Sequence, residues 1–191
     1  MKDTIKLVFV LTIICTICSA LLAAVFQVTE KPIAQSLEKR TASAAALVLP
    51  PECGVPEKLV YTCPKKDAAQ PEKKITYFEA KKDGKPIAWA YEGEANGYGG
   101  PVKLMVGIGK DGKMISFEVI QSTETPGLGS KMGQDAFKKP LCGKSLRSDW
   151  KVKKDGGDVD AITAATISSR AALECIRNAK SKHELIHKIT L

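Results

Sequence analysis

The distribution of apolar and polar residues changes along the chain, and the first distinct feature is a long uncharged run. Residues 7–26, LVFVLTIICTICSALLAAVF, contain no charged side chain. Twenty helical residues at about 1.5 Å each span about 30 Å, which is the thickness of one hydrocarbon core. The pattern predicts a single transmembrane anchor within residues 1–28.

A different pattern follows the apolar run. Residues 30–46 are typical of a helix with Pro32 in its first turn, where the missing N–H costs least. Residues 46–74 contain five prolines and predict an extended, irregular segment. We therefore expect a juxtamembrane helix and Pro-rich connector over residues 29–74, followed by a folded domain over residues 75–191.

Strand-like alternation dominates the first half of that domain. Apolar residues alternate with polar ones on both sides of Asp83-Gly84, and again on both sides of Asp111-Gly112. Asp-Gly between such runs predicts a hairpin, because both central positions of the tight turn require positive φ. Two hairpins are expected, joined by the glycine-rich residues 97–101.

The second half of the domain is mainly helical in pattern. Residues 134–137 predict a short helix, and residues 150–152 a final strand. Apolar residues recur at helical spacing over residues 164–180, and Thr163 or Asp160 can cap that helix. The predicted fold class is α+β, with an antiparallel sheet and a packed C-terminal helix behind one transmembrane helix.

Charge places the domain relative to the membrane. The 191 residues carry 29 basic and 21 acidic side chains, a net charge of +8, but the lysines are scattered without interleaved aromatic residues, so no nucleic-acid partner is expected. Lys2 and Lys6 precede the apolar run, so the positive-inside rule places the N-terminus in the cytoplasm and the domain outside. A cleaved signal peptide is the alternative, although Leu22 disfavours cleavage after Ala24.

The cysteines fit an extracytoplasmic domain. Cys53 and Cys63 bracket part of the connector in an oxidising compartment, and we predict a disulfide between them. Cys142 and Cys175 could pair with each other or remain buried thiols. The chain contains no C-x-x-C-H motif, which excludes covalent attachment of c-type haem.

The segment HELIH, from His183 to His187, matches the zinc-peptidase motif H-E-x-x-H. Catalytic zinc needs a third protein ligand, and the four residues after the motif in this sequence offer none. A polar face on the last turns of the C-terminal helix is therefore the preferred interpretation. A membrane-anchored zinc peptidase stays a remote alternative, and no metal ligand is assigned.

The segment DVDAITAATISSRAA, residues 158–172, places small residues and threonine hydroxyls where the C-terminal helix begins. The free N–H groups at a helix N-terminus attract anions, and small side chains allow a ligand to approach the backbone. Lys153 and Lys154 come shortly before. These features predict either a phosphate site or ordinary capping by Ser, Thr or Asp.

Several segments of this sequence together resemble one family. DAITAAT, residues 160–166, resembles the motif D-x-x-[ST]-[GA]-A-T, at whose last threonine a flavin transferase attaches FMN through a phosphodiester. Together with the anchor, VLP, GYGGPVKLMVGIGKDGKM, ETPGLG and WKVKKDGGDVDAITAATISSRA, the chain resembles the G subunit of the Rnf electron-transport complex. It is similar, more distantly, to the C subunit of sodium-translocating NADH:quinone oxidoreductase. Ala164 stands where the family more often has glycine.

The resemblance implies a covalent FMN and the residues around it. FMN would be joined by a phosphoester to Thr166. The motif and the ETPGLG segment supply the other expected cofactor-binding residues: Thr163, Ala164, Ala165, Asp160, Glu124, Thr125, Gly127 and Leu128. Lys153 is expected to neutralise the phosphate. No catalytic residue is assigned, because the subunit alone would be an electron carrier.

The resemblance also implies a place in the cell and a set of partners. The chain would be a single-pass protein of the cytoplasmic (inner) membrane, with its domain on the periplasmic side. It would work with the other membrane subunits of a translocase that couples ferredoxin and NAD redox to ion transport, and with a flavin transferase during maturation. A stand-alone or regulatory membrane-anchored flavin-binding protein is the alternative.

Overall fold

The computed structural model describes residues 2–63 and 74–188, and its first element is one long helix. Helix α1 runs from Lys2 to Val48 without a break and includes Pro32. The apolar anchor and the predicted juxtamembrane helix are therefore parts of a single element. Within the described residues, α1 is the one helix long and apolar enough to cross a membrane.

The chain forms two compact units, which divide α1. Residues 1–40 form the first unit and residues 41–191 the second. Within the second unit, Ala44, Ala45 and Val48 are buried. Val48 lies directly against Gly107, where a side chain would collide with the Val48 backbone. The last turns of α1 thus belong to the core of the C-terminal unit, whereas the sequence pattern predicted that the domain begins at residue 75.

The domain is built on a five-stranded antiparallel meander, in the order β1-β2-β3-β4-β5. The strands are β1 (Glu57–Thr62), β2 (Lys74–Lys82), β3 (Lys85–Asn96), β4 (Pro101–Gly109) and β5 (Met114–Gln121). The two predicted hairpins, β2-β3 and β4-β5, are confirmed, and residues 97–100 join them.

The two Asp-Gly turns differ in geometry. In the first, Asp83 and Gly84 both have positive φ, 52° and 74°, as a two-residue hairpin turn requires. In the second, Gly112 alone has positive φ, and the turn is longer, with the Gly109 N–H donating to the Lys113 carbonyl. The expectation of positive φ at both central positions is wrong for the second turn, because a longer loop needs only one left-handed residue.

The segment predicted as an irregular connector contains ordered structure. A short 3-10 helix covers Pro51–Cys53, and β1 pairs with β2 from Glu57 opposite Glu79 to Thr62 opposite Lys74. All six cysteines lie in the described part of the chain, and all are free there. The predicted Cys53–Cys63 disulfide is therefore not formed.

The helical half of the domain follows the sequence pattern more closely. Helix α2 covers Asp135–Lys138, near its predicted position. Helix α3 runs from Thr166 to His187, so it begins two residues later and ends seven residues later than the pattern suggested. The predicted strand over residues 150–152 is wrong, since Val152 forms only an isolated bridge with Val159 and a 3-10 helix follows at Lys153–Asp155.

Helix α3 packs closely against β3 because the strand has a glycine at the point of contact. A side chain at Gly93 of β3 would collide with the backbone of Cys175. Around this contact the core contains Tyr91, Leu104 and Ile176, none of which is solvent-exposed. The fold class is the α+β arrangement predicted from the sequence.

Candidate functional site

A cavity of about 430 Å³ opens where α3 begins. Three chain segments form its wall: the loop between β3 and β4, the segment after β5, and the first turn of α3 with the residues before it. The lining residues are Tyr98, Glu124, Thr125, Leu128, Gly129, Ala164, Ala165, Thr166, Ile167 and Ser168. The structure thus brings together the two segments, ETPGLG and DAITAAT, that residues 130–159 separate in the sequence.

The N-terminus of α3 is not capped by a side chain. Ala165 is the N-cap residue, and its methyl group offers no hydrogen bond to the first turn. Thr163, which was predicted as a cap, is exposed. The predicted role of Thr163 or Asp160 as N-cap is wrong because the helix begins at Thr166, two residues beyond the predicted start. The first-turn N–H groups consequently face the cavity end of the helix with no side chain to satisfy them.

Ser169 holds the residues that lead into α3. Its hydroxyl accepts a hydrogen bond from the Ile162 N–H at 2.9 Å and donates one to the Ala165 carbonyl at 3.0 Å. Within this turn Ala164 has a φ of 61°, in the left-handed region that favours glycine. A glycine, which the sequence resemblance would place here more often, could adopt this conformation without the strain that a Cβ brings.

Most basic residues near the cavity are paired with carboxylates. Lys153 Nζ lies 2.7 Å from Asp160 Oδ1. The other ion pairs of this region are Lys144–Asp158, Lys151–Asp149 and Arg170–Asp155. Among the residues the structure describes, Lys154 has no such carboxylate partner, and its Nζ lies 3.5 Å from the Thr166 hydroxyl. Lys154 therefore contacts the Thr166 hydroxyl, while Lys153 is paired with Asp160, and the role predicted for Lys153 toward a phosphate stays a prediction.

In two of these ion pairs, hydrogen bonds change the pKa of the carboxyl groups. Arg170 donates two hydrogen bonds of 2.7 Å to the carboxylate of Asp155, and they lower the pKa of Asp155. A hydrogen bond from Lys144 similarly lowers the pKa of Asp158. Both carboxyl groups are exposed, so each pair contributes little stability in water. In the part of the chain that the structure describes, Lys154 is left beside Thr166 without a carboxylate partner.

Glu124 accepts hydrogen bonds from two other walls of the cavity. Its Oε1 accepts from the backbone N–H groups of Tyr98 at 2.6 Å and Gly99 at 3.3 Å. Its Oε2 accepts from the Ser168 hydroxyl at 2.7 Å. The side chain is 7% exposed. The carboxylate is thus engaged by the protein itself, although it also lines the cavity.

The ten expected cofactor-binding residues divide into two groups. Six of them line the cavity: Glu124, Thr125, Leu128, Ala164, Ala165 and Thr166. The other four lie outside the lining: Thr163, Asp160, Gly127 and Lys153. Gly127 instead forms a turn, with a φ of 77° and its N–H donating to the Ser130 hydroxyl. The roles of all ten toward a cofactor stay predictions.

Sequence reasoning missed four lining residues. Tyr98, Gly129, Ile167 and Ser168 complete the wall, and Tyr98 and Ile167 are exposed at 73% and 48%. Ile167 and Ser168 follow Thr166 directly, so their positions could have been read from the start of the helix. Tyr98 lies in the glycine-rich loop. A single aromatic residue among glycines was the sequence feature that could have indicated a binding role.

The HELIH segment lies at the opposite end of α3 and is packed into the domain. His183 is 3% exposed, and its Nδ1 lies 3.2 Å from the Tyr91 hydroxyl, while His187 Nε2 lies 3.0 Å from the same hydroxyl. The indole of Trp89 lies 4.5 Å from the His187 ring and 5.3 Å from the His183 ring. The interpretation as a polar surface face is therefore wrong for His183.

Burial controls the protonation of these imidazoles. It lowers the pKa of His183 to about 4, and the neighbouring His187 contributes a smaller part of that shift. Burial also lowers the pKa of His187 and raises that of Tyr91. Both rings are consequently neutral near pH 7.

Comparisons with known proteins identify the domain around the cavity. A family model described as FMN-binding domain matches residues 97–181. The G subunit of the ion-translocating oxidoreductase complex of Shewanella baltica is 36% identical over 185 residues, covering 92% of this chain and 87% of the relative. The G subunit of the proton-translocating ferredoxin:NAD(+) oxidoreductase complex of Clostridium ljungdahlii is 31% identical over 173 residues, covering 88% and 85%.

A solved structure has the same fold. It is the C subunit of the Na(+)-translocating NADH-quinone reductase from Parabacteroides distasonis, with a TM-score of 0.61 and 21% identity, covering 82% of this chain and 94% of that chain. The relatives that match over almost their whole length confirm the resemblance inferred from the sequence motifs. This chain belongs to the family of G subunits of ion-translocating oxidoreductase complexes and contains an FMN-binding domain.

Proposed function

We propose that this protein is the flavin-carrying electron-transfer subunit of a membrane-bound ion-translocating complex, with FMN attached covalently to Thr166 through a phosphoester. Relatives of nearly the same length are subunits of such complexes, and the Clostridium relative is named for a ferredoxin:NAD(+) oxidoreductase. The other membrane subunits of the complex are then its permanent partners.

The position of the Thr166 hydroxyl carries the proposal. Thr166 is the first residue of α3 and lines the cavity, where it is half-buried. The first turn has no side-chain cap, so its N–H groups and the positive end of the helix dipole are available to a phosphate. Lys154 Nζ, 3.5 Å from the hydroxyl, adds a positive charge.

The cavity has the size and chemistry that a flavin needs. A volume of about 430 Å³ lies within the usual range for small-molecule sites. Leu128 and Ile167 supply apolar surface for a ring system, and Ala164 and Ala165 allow a phosphate to approach the backbone. FMN, once bound, supplies the one- or two-electron chemistry, and the protein supplies position and electrostatics.

A location of the domain outside the membrane would explain why the flavin is attached covalently. Lys2 and Lys6 before the apolar run favour a cytoplasmic N-terminus and a domain outside the cytoplasmic membrane. A dissociable flavin would be lost from that compartment and not replaced from the cytoplasm. Attachment by a flavin transferase that works outside the membrane would keep the cofactor on the protein.

The test is covalent labelling in cells that co-express a flavin transferase. Thr166→Val should abolish in-gel flavin fluorescence in the denatured chain, because the acceptor oxygen is gone. Thr163→Val is the matched control: Thr163 is exposed and outside the cavity, so labelling should persist. A transferase that lacks its export signal should leave the wild type unlabelled.

Two results would contradict the proposal. Fluorescence that persists in Thr166→Val, with the label mapped by mass spectrometry to another residue, would overturn the attachment site. A wild-type chain that carries no covalent flavin in the presence of exported, active transferase would overturn the covalent linkage itself.

A further inference from the structure

One side chain of the cavity wall, the carboxylate of Glu124, accepts hydrogen bonds at both of its oxygens. Glu124 follows β5, yet its two oxygens reach two other segments of the chain. Oε1 accepts from the N–H groups of Tyr98 and Gly99, and Oε2 accepts from the hydroxyl of Ser168, 44 residues away in sequence. One side chain therefore ties the β3-β4 loop to the first turns of α3.

Glycine backbones close around this carboxylate. A side chain at Gly97 would collide with Glu124 Oε1, and one at Gly129 would collide with Glu124 Oε2 and the Ser168 hydroxyl. The neighbouring Thr123 adds a second link to the same loop, since its hydroxyl donates to the Gly99 carbonyl at 2.9 Å. The absence of side chains at two positions is what allows an acidic group to fit into this wall.

The hydrogen-bond pattern fits the ionised form of Glu124. All three partners act as donors, and an ionised carboxylate is an acceptor at both oxygens. Hydrogen bonds to a charged acceptor are stronger than those between neutral groups. Among the residues the structure describes, Glu124 forms no ion pair, and the groups that compensate its negative charge there are oriented N–H and O–H dipoles.

We propose that Glu124 is a positioning residue of the flavin site, whose ionised carboxylate ties the β3-β4 loop to α3 and holds one negative charge in the cavity wall. The inference rests on the proposed function, in that the cavity holds the flavin ring. A fixed negative charge beside the flavin opposes the gain of electrons, so Glu124 makes the bound flavin harder to reduce.

The charge is tested with a substitution that keeps the shape. Glu124→Gln retains an acceptor oxygen for the Tyr98 N–H and removes the charge. Asp83→Asn removes the same charge in the β2-β3 turn, outside the cavity, where asparagine tolerates the positive φ. The midpoint potential of each flavin-labelled, full-length protein is measured in detergent by titration with a chemical reductant, which loses the electrons that the flavin gains.

Glu124→Gln should favour the reduced flavin by tenfold or more relative to the wild type. A tenfold change corresponds to about 30 mV for a two-electron couple. Asp83→Asn should leave the potential unchanged. A purely structural role for Glu124 predicts no such difference, so equal potentials for Glu124→Gln, Asp83→Asn and the wild type would overturn the proposed charge effect.

The tie between the segments is tested without flavin. Amide hydrogen exchange at Tyr98 and Gly99 is measured in the unlabelled Thr166→Val background. Adding Glu124→Ala should accelerate exchange at both amides by about tenfold or more, since hydrogen bonds to a charged acceptor are lost, whereas adding Glu124→Gln should change it far less. Unchanged exchange in Glu124→Ala would overturn the tie. A wild type without flavin would instead overturn the proposed function and leave this exchange result standing.

Discussion

The two ends of helix α3 lie in different surroundings. At the N-terminal end, Thr166 and the uncapped first turn open onto a cavity. At the C-terminal end, the rings of His183 and His187 fill the space against Trp89 and Tyr91. One helix thus carries an open end with spare hydrogen-bonding capacity and a closed end whose polar groups are paired within the domain.

The comparison separates a motif from its surroundings. HELIH matches the sequence motif of a zinc site, yet both of its imidazoles lie within hydrogen-bond distance of the Tyr91 hydroxyl. DAITAAT consists mostly of alanine, threonine and one acidic residue, which would suit an ordinary helix start. The second segment is the one that lines a cavity. Unsatisfied backbone N–H groups and nearby space decide which end can accept a ligand.

The largest expected effect is a loss of stability when the packing at the closed, C-terminal end of α3 is disrupted. His183→Ala should lower the free energy of unfolding by about 3–4 kcal/mol, because it leaves a cavity among aromatic rings and removes a partner of Tyr91. Ile167→Ala, at the open end and 48% exposed in the wild type, should cost about 1 kcal/mol or less. Denaturant unfolding of the detergent-solubilised protein, followed by tryptophan fluorescence, compares them. Equal losses would contradict the distinction between the ends.

Acid should weaken the closed end selectively. Burial lowers the pKa of His183 from 6.5 to about 4, so the unfolded chain binds the proton more readily than the folded one. The resulting stability is fully present above about pH 6.5 and is lost as the pH falls toward 4. The shift corresponds to a loss of up to about 3 kcal/mol.

The control for this pH dependence is His183→Gln, which cannot titrate and should give a flatter stability curve between pH 6.5 and 4. His187 remains in this variant, and because burial lowers its pKa too, it accounts for pH dependence that is left. A wild-type curve that stays flat down to pH 4 would show that the pKa of His183 is not lowered in the folded protein.

The smallest expected effect is a gain of stability at the open, N-terminal end of α3. Ala164→Gly should raise the free energy of unfolding by about 1 kcal/mol, because glycine adopts the φ of 61° without the clash that Cβ causes. Ala165→Gly is the matched control: Ala165 has a φ of −133° and is buried, so its change should destabilise. Thermal unfolding curves of the two variants measure this difference in stability. Stabilisation by both changes or by neither would contradict the role assigned to the left-handed turn.

Local signals explain which parts of the fold could be predicted. Asp83-Gly84 and Asp111-Gly112 specify turns through the residues themselves, so both hairpins could be read from the sequence. The periodic apolar positions of α3 likewise fixed the existence of the helix and left its ends uncertain by several residues. The six lining residues predicted from the motifs also depended on short, contiguous stretches.

Long-range contacts explain what could not be predicted. The partner of His183 and His187 is Tyr91, at sequence separations of 92 and 96 residues, so the burial of the imidazoles has no local signal. Strand β1 lies between prolines and becomes a strand only by pairing with β2. The pairing of Lys153 with Asp160 and the approach of Lys154 to Thr166 are also visible only in the folded loop.

The junction of α1 with the sheet limits where the chain can be cut. Ala44, Ala45 and Val48 are core residues, and Gly107 lacks a side chain where Val48 rests. A protease or an engineered start site that removes residues up to 40 leaves this core whole, whereas a cut at residue 75 would strip away both the helix end and strand β1. Any membrane-free form of the domain must therefore keep the last part of the anchor helix.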